Sequence, residues 1–368
     1  MRLLLCGGGT AGHVNPAIAV AEELKRTHPE SEILFVGRDG GDENHLITAA
    51  GFNFKTLSVQ GLKHSVSLNN LKRITKALHA VSEAQQIISE FKPNVILGTG
   101  GYVCWPMITA AHQMKILSAI HESNIIPGLT TKLLSKKCNV ILLNREETKK
   151  HLNKKANTKT VGIPLRENFN KISRQDARRY LKIKDGEFLI LSFGGSLGSQ
   201  KMNEVIIDVI KNYSSKNENI KHIHAVGKRY YQNLNIDQNE LAGCKILPFI
   251  DFMPLALKAA DVVICRCGAV TLAEVCYVGV PAILIPSPNV SNNHQFHNGK
   301  LLESVGGAIL LEEEKLTEKS LRSAIEVIKN AKIDRKTRAK RLKSLFTPDA
   351  AKNIVYELIS LKNSPKSK

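Results

Sequence analysis

The stretch that most constrains this chain is residues 259–286, AADVVICRCGAVTLAEVCYVGVPAILIP. Residues 262–265 form a short, apolar, largely β-branched run, the signature of a strand buried on both faces. Arg266 and Gly268 end the run. A helical pattern follows over 270–277, and Gly279-Val280-Pro281 stops it before a second buried run at 282–285. Two buried strands joined through a helix lie parallel, because only a crossover of that length returns the chain in the same direction. Arg266 then sits at the carboxyl end of a strand, where open α/β sheets bind ligands. Helix-start amides, an Arg and the Glu274 carboxylate together suit a phosphate and a ribose diol. An ordinary βα unit with a solvated Arg and Glu reads the same locally.

The same grammar runs through the whole chain. Residues 2–6 read as a buried strand, 7–16 (GGGTAGHVNP) as a glycine-rich loop, and about 17–27 as a helix. Strands at 33–36 and 54–59 and a long helix at 68–91 follow, then a strand at 94–97 and a second glycine turn, Gly98-Thr99-Gly100-Gly101-Tyr102-Val103. A helix to about Met114, a strand at 116–120, the loop His121-Glu122-Ser123-Asn124, a further helix and a strand at 139–143 complete the first half. Residues 144–170 turn polar and end in the Gly/Pro-punctuated VGIPLR (161–166), which suits an interdomain hinge. The second half repeats the rhythm: a strand at 188–193, a third glycine turn (GGSLG, 194–198), a helix from 200 to about 211, and strands at 222–226, 245–247, 262–265 and 282–285. Residues 349–361 read as a terminal helix. Strands alternating with helices, without hairpin signals, predict α/β architecture: two Rossmann-like domains whose parallel sheets face a central cleft. The boundaries expected are 1–163, completed by the C-terminal segment 349–368, and 164–348.

Composition narrows the partners. Fifty-two Lys and Arg against thirty-three Asp and Glu give a formal charge of +19, which favours anionic partners. Nucleic acid is not among those expected, since aromatic residues make up only 5% and none interleave with basic ones. Seven cysteines without a CxxC pair indicate neither a disulfide framework nor a zinc site, so no metal is expected, and the thiols read as small buried hydrophobes. No segment has the roughly 18 uninterrupted apolar residues of a membrane span. In 61–78, however, Leu71, Ile74 and Leu78 make a helical stripe flanked by Lys63, Lys72, Arg73 and Lys76. That pattern fits an interfacial membrane contact, which Trp105 would extend, or a helix packed on the sheet with solvated lysines.

Three glycine-rich strand-to-helix turns suggest cradles for a phosphorylated ligand. Gly7, Gly9 and Gly12 formally satisfy GxGxxG, yet Gly37-Arg38 stand where a dinucleotide fold has an acid. His13 lies at a helix start, where it either caps its own turn or takes a proton from a hydroxyl. Glu122 and Asn124 are cleft lining or turn residues. His294 and Gln295 sit in a polar loop past a buried strand, as binding residues or as a connector. No Asp-x-Asp and no GxxxxGK[ST] occurs.

In their order these motifs resemble one family. GGTAGHVNPA (8–17), GTGGYV (98–103), HESNIIPGLTTKLLS (121–135), VGIPLR (161–166), GGSLGSQKMN (194–203), PFIDFM (248–253), ADVVICRCGAVTLAE (260–274) and HQFHN (294–298) are similar to the MurG-type N-acetylglucosaminyltransferases of peptidoglycan synthesis, which have the GT-B fold. The resemblance implies transfer of GlcNAc from UDP-GlcNAc to the 4-hydroxyl of MurNAc in lipid I, with inversion and no cofactor. Thr10, Ala11, Gly12 and Asn124 would touch the donor sugar. Arg166 and Ser196 would hold the diphosphate, and the Ile250 backbone the uracil. Ala269, Val270, Thr271, Leu272, Ala273 and Glu274 would hold phosphate and ribose, with Arg266 nearby. Gln295 and His294 would meet the GlcNAc hydroxyls. Gly9, Gly100, Gly101 and Tyr102 would meet the acceptor diphosphate, with His13 as the candidate base. The implied partners are UDP-GlcNAc, lipid I, the anionic cytoplasmic face of the inner membrane as a peripheral contact, and other cell-wall synthesis proteins. Ala11, Ser123, Leu197 and the pair Cys104-Trp105 depart from the family pattern. A related glycolipid transferase, a UDP-GlcNAc 2-epimerase, a dinucleotide-dependent oxidoreductase and a non-catalytic nucleotide-sugar module remain as alternatives.

Overall fold

Alternating residues of each central strand enter opposite cores, so both faces of each sheet must be covered. The computed structural model describes residues 1–41, 44–59, 70–166 (backbone alone for 70–77), 172–195, 198–234, 236–330 and 335–364. The chain divides into two compact units, Met1–Arg166 with Thr347–Lys368, and Glu167–Phe346.

In the first unit seven strands are all parallel: β1 (Arg2–Cys6), β2 (Glu32–Arg38), β3 (Asn53–Leu57), β4 (Val95–Gly98), β5 (Leu117–Glu122), β6 (Val140–Leu143) and β7 (Thr158–Thr160). Their order is β3-β2-β1-β4-β5-β6-β7. Leu3 and Leu5 of β1 pack with Ile18 of the helix Ala11–Thr27 and with Ile354 and Leu358 of the C-terminal helix Ala350–Asn363. Leu4 and Cys6 face the other way, onto Met107 and Ile108 of the helix Cys104–Gln113 and Ile88 of the helix Asn70–Phe91. The period of two in strand side chains therefore sorts one apolar run into two cores. Order reverses between β1 and β4, so the crevice outside their carboxyl ends is the switch point of this sheet.

The second unit repeats the plan with six parallel strands: β8 (Phe188–Phe193), β9 (Ile220–Ala225), β10 (Cys244–Leu247), β11 (Val262–Cys265), β12 (Ala282–Leu284) and β13 (Ala308–Leu310). Their order is β10-β9-β8-β11-β12-β13, with its switch point between β8 and β11. Val263 and Cys265 enter one core, Val262 and Ile264 the other.

Three features differ from the sequence expectation. The first helix begins at Ala11, not near residue 17, so His13 is helical. Gly12 and Pro16 argue for a loop by local propensity; Thr99 Oγ1, donating to the His13 carbonyl at 2.8 Å, ties this first turn to the second glycine loop. The helix from Gln200 to Val209 runs on through a wide turn at Ile210–Ser214, closed by Ser215 N donating to Ile210 O at 2.9 Å. The short edge strands β7 and β13 carry three residues each, too few for periodicity to register.

Candidate active site

The first two glycine loops meet at the β1/β4 switch point. Gly8 N donates to Gly100 O at 3.3 Å. A Cβ on Gly101 (φ +86°) would lie 2.2 Å from Gly8 O, and one on Gly100 (φ +119°) would lie 2.3 Å from His13 Nδ1. Only glycine permits an approach this close. His13 Nδ1 lies 3.2 Å from Thr99 O. A carbonyl only accepts, so Nδ1 carries the hydrogen and Nε2 is the lone-pair nitrogen of the neutral ring. Thr10 caps the helix without a side-chain hydrogen bond, and the first turn contains no acid. Its start is accordingly positive. Gly9 and Thr10 are exposed, Ala11 and Gly12 half-buried, and Tyr102 of the second loop is exposed.

Glu122 is not cleft lining. Its buried carboxylate accepts from Asn124 N (2.9 Å), Asn124 Nδ2 (3.1 Å), Gly128 N (3.0 Å) and Thr131 Oγ1 (2.6 Å). Four donors on one carboxylate fix the loop and present Asn124. Before it in the strand, His121 Nε2 donates to Gly162 O at 2.8 Å, and burial lowers the pKa of this imidazole. Arg166 pairs with Glu22 of the first helix at 2.7 Å, with about a third of each side chain exposed.

In the second unit the helix Ala269–Val278 starts directly after β11, with Gly268 as its cap and no side-chain capping bond. The first helical bond runs from Leu272 N to Gly268 O at 3.0 Å, so the amides of Ala269, Val270 and Thr271 have no intrahelical partner. They face an end with no acid in its first turn. Leu272 is buried, whereas Ala273 and Glu274 are half-buried. Glu274 has no hydrogen-bond or ion-pair partner among the described residues, and desolvation raises its carboxyl from the ordinary 4.5 to about 7. Ile250 is 2% exposed through its side chain, yet its amide and carbonyl make no backbone bond among the described residues.

Arg266 is placed differently from the sequence expectation of a group free to approach phosphate. Its guanidinium donates to Ile285 O (3.3 Å), Pro286 O (3.1 Å) and Ser199 Oγ (2.6 Å), and it pairs with Glu313. It is a brace joining the ends of β11 and β12 to the start of the helix after β8. Gln295 staples the same region: its Oε1 accepts from Cys267 N (3.2 Å) and Ser287 N (2.9 Å). His294 Nδ1 donates to Ser291 O at 2.8 Å. In the third glycine turn Ser196 and Leu197 lie outside the described residues, as do the side chains at 63 and 71–76 of the basic stripe. Leu78 is described and is 63% exposed.

Sequence reading missed the partners that hold this machinery. Glu22, Thr99, Ser199 and Glu313 carry no local signal, because the residues they serve lie from 47 to 144 positions away. The two clusters belong to separate units.

Against known proteins, residues 3–143 match the glycosyltransferase family 28 N-terminal domain and residues 189–354 the family 28 C-terminal domain. A Thermoanaerobacter sp. protein named UDP-N-acetylglucosamine–N-acetylmuramyl-(pentapeptide) pyrophosphoryl-undecaprenol N-acetylglucosamine transferase is 39% identical over 367 residues, 98% of this chain and 99% of that one. The crystal structure of Acinetobacter baumannii MurG superposes with a TM-score of 0.74 at 26% identity, covering 98% of this chain and 99% of that one. A Neisseria meningitidis UDP-GlcNAc 2-epimerase shares the fold alone, with a TM-score of 0.64 at 14% identity over 98% of this chain and all of that one. The chain belongs to glycosyltransferase family 28, as an N-acetylglucosaminyltransferase of the MurG type with the GT-B fold.

Proposed function

We propose that the protein transfers GlcNAc from UDP-GlcNAc to the 4-hydroxyl of MurNAc in lipid I, giving lipid II and UDP, in one displacement with inversion. The observation that carries the donor assignment is the helix Ala269–Val278. It offers three amides without intrahelical partners at its start, and a desolvated carboxyl without a partner further along. The amides suit a phosphate, and the carboxylate suits the two hydroxyls of a ribose. The Ile250 amide and carbonyl would read the uracil edge. Gln295 and His294 would meet the GlcNAc hydroxyls, and Thr10, Ala11, Gly12 and Asn124 would also touch the donor sugar.

Arg166 and Ser196 would hold the diphosphate. A surface pair such as Arg166–Glu22 contributes on the order of 1 kcal/mol or less, so a doubly charged diphosphate can replace Glu22 as its partner. Arg266 serves by fixing the loops around this site. His13 Nε2 takes the proton of the acceptor hydroxyl as that oxygen attacks the anomeric carbon. The negative charge gathering on UDP is met by the helix-start amides, the third glycine turn and Arg166. Gly9, Gly100, Gly101 and Tyr102 would lie against the acceptor diphosphate.

The lipid-linked acceptor places the enzyme at the cytoplasmic face of the inner membrane as a peripheral protein. No described helix is long and apolar enough to cross a membrane. Leu78, Leu129 and Leu133 are each more than half exposed, on helices linked by packing through Cys104–Gln113. Lys137 places its ammonium 5.9 Å from the centre of the Trp105 ring. Apolar side chains beside cations fit an anionic leaflet. The test is to supply UDP-GlcNAc with a lipid I analogue and look for a β-1,4-linked disaccharide and UDP. Conversion of UDP-GlcNAc without acceptor would instead identify an epimerase.

A further inference from the structure

We infer that Cys104 is a positioning residue for the transfer: its sulfur fastens the second glycine loop, and through Gly100 that loop orients the His13 imidazole. The inference rests on the assignment of His13 as base. Cys104 opens the helix after the loop and is 1% exposed. Its Sγ lies 3.2 Å from Gly100 N, 3.2 Å from Gly100 O and 3.3 Å from Cys6 O. An amide only donates and a carbonyl only accepts. The sulfur therefore accepts from Gly100 N–H and turns its own S–H to a carbonyl. One atom thus accepts from Gly100 N–H while its single hydrogen turns either to Gly100 O or to Cys6 O at the end of β1.

Gly100 in turn bounds the imidazole. A Cβ built on it would stand 2.3 Å from His13 Nδ1 and 2.6 Å from Cε1, so the loop backbone lies against the ring. Thr99 O takes the Nδ1 hydrogen at 3.2 Å, and Thr99 Oγ1 donates to His13 O at 2.8 Å. Residues 99 and 100 set the ring, and Cys104 sets residue 100. Beneath the loop, Sγ also fills the space left by Gly98, whose Cβ would lie 3.1 Å from it. Hydrogen bonding to Cys104, and then burial, raise the Cys6 thiol well above its ordinary value, so no thiolate charge develops there to disturb the loops. The carbon–sulfur bond is longer than carbon–oxygen, which lets one side-chain atom reach all three groups. Serine keeps a donor and an acceptor at the position; alanine keeps neither.

The experiment compares Cys104→Ala, Cys104→Ser and His13→Ala in the full-length protein, using UDP-GlcNAc and a lipid I analogue. Readouts are kcat, the KM for each substrate, the pH–rate profile and thermal unfolding. Displacing a catalytic group by a fraction of an ångström to an ångström costs up to about 100-fold, so Cys104→Ala should lower kcat about 10- to 100-fold. KM for UDP-GlcNAc should stay within about twofold, because the lost contact is made on the acceptor side. The acid limb of the pH–rate profile should shift, and Cys104→Ser should recover kcat to within about threefold of the parent. A Cys104→Ala protein with parental kcat and an unmoved acid limb overturns the inference. So does a loss that follows reduced thermal stability and is not restored by serine. Unimpaired turnover in His13→Ala overturns the base assignment and this inference with it; impaired turnover there beside an unaltered Cys104→Ala overturns this inference alone.

Discussion

Glu274→Gln should stabilise the protein at pH 8 while weakening its hold on UDP-GlcNAc. The Glu274 carboxyl has no partner among the described residues, and burial raises it from the ordinary 4.5 to about 7. Between those values the folded chain keeps a proton that the unfolded chain releases. Stability therefore falls as pH rises through that window, and the deficit is complete above pH 7. At about 1.4 kcal/mol per pH unit, the deficit amounts to roughly 3 kcal/mol at pH 8. A neutral isostere removes it, which for a unit of this size corresponds to a rise in Tm of roughly 6–12 °C at most. At pH 5 the two proteins should differ little. Binding runs in the opposite direction. A ribose diol donates to the ionised carboxylate, so the ligand expels the proton, and affinity should rise about tenfold between pH 6 and pH 8. UDP-GlcNAc suits the test because its substituted diphosphate does not titrate in that range. Hydrogen bonds to a charged group contribute about 1.5–3 kcal/mol, so Glu274→Gln should bind about 10- to 100-fold more weakly at pH 8, with a flat pH profile. Calorimetric titration at pH 6, 7 and 8, with urea unfolding at pH 5 and 8, measures both. Equal pH dependence in parent and variant, or no gain in stability at pH 8, would refute the reasoning.

Glu313→Gln should weaken UDP-GlcNAc binding and lower unit stability together, because a pair only 12% and 19% exposed leaves Arg266 short of its counter-charge. The loss should be about 2–4 kcal/mol by urea unfolding. Gly101→Ala forces a Cβ to within 2.2 Å of Gly8 O at positive φ, so turnover should drop more than about tenfold and stability by about 1–3 kcal/mol. His222 and His224 are fully buried on β9 around Ser192, and burial lowers the pKa of both, His224 to about 4. The unfolded chain protonates them first, so stability should be lost as pH falls below about 6.5, with His224 alone accounting for roughly 3 kcal/mol at pH 4. His224→Leu should flatten that acid limb in unfolding measured from pH 7 to pH 4. Leu129→Asp with Leu133→Asp should reduce sedimentation with anionic phosphatidylglycerol vesicles several-fold while leaving turnover on a short-chain soluble acceptor unchanged.

The strands at 2–6, 188–193 and 262–265 stand where their apolar runs placed them, because a strand buried on both faces is a continuous hydrophobic word read without context. The first two glycine turns were equally legible, each at the carboxyl end of its strand. What failed was anything decided by a partner distant in sequence. The first helix starts at Ala11 against the local advice of Gly12 and Pro16. Arg266 looked like a phosphate ligand, but Glu313, Ser199 and two carbonyls take up its guanidinium. Glu122, which the sequence left open between cleft lining and a turn role, is a different case: it takes the turn role through four donors no more than nine residues away.

The sequence by itself determined two α/β sheets and their glycine-rich turns, which follow from short-range patterns of volume, polarity and chain flexibility, and its ordered motifs carried the family resemblance. Only the tertiary structure decided which polar groups remain available for a substrate. A side chain's hydrogen bonds are allotted in competition with every neighbour that folding brings near, and no local pattern records that competition.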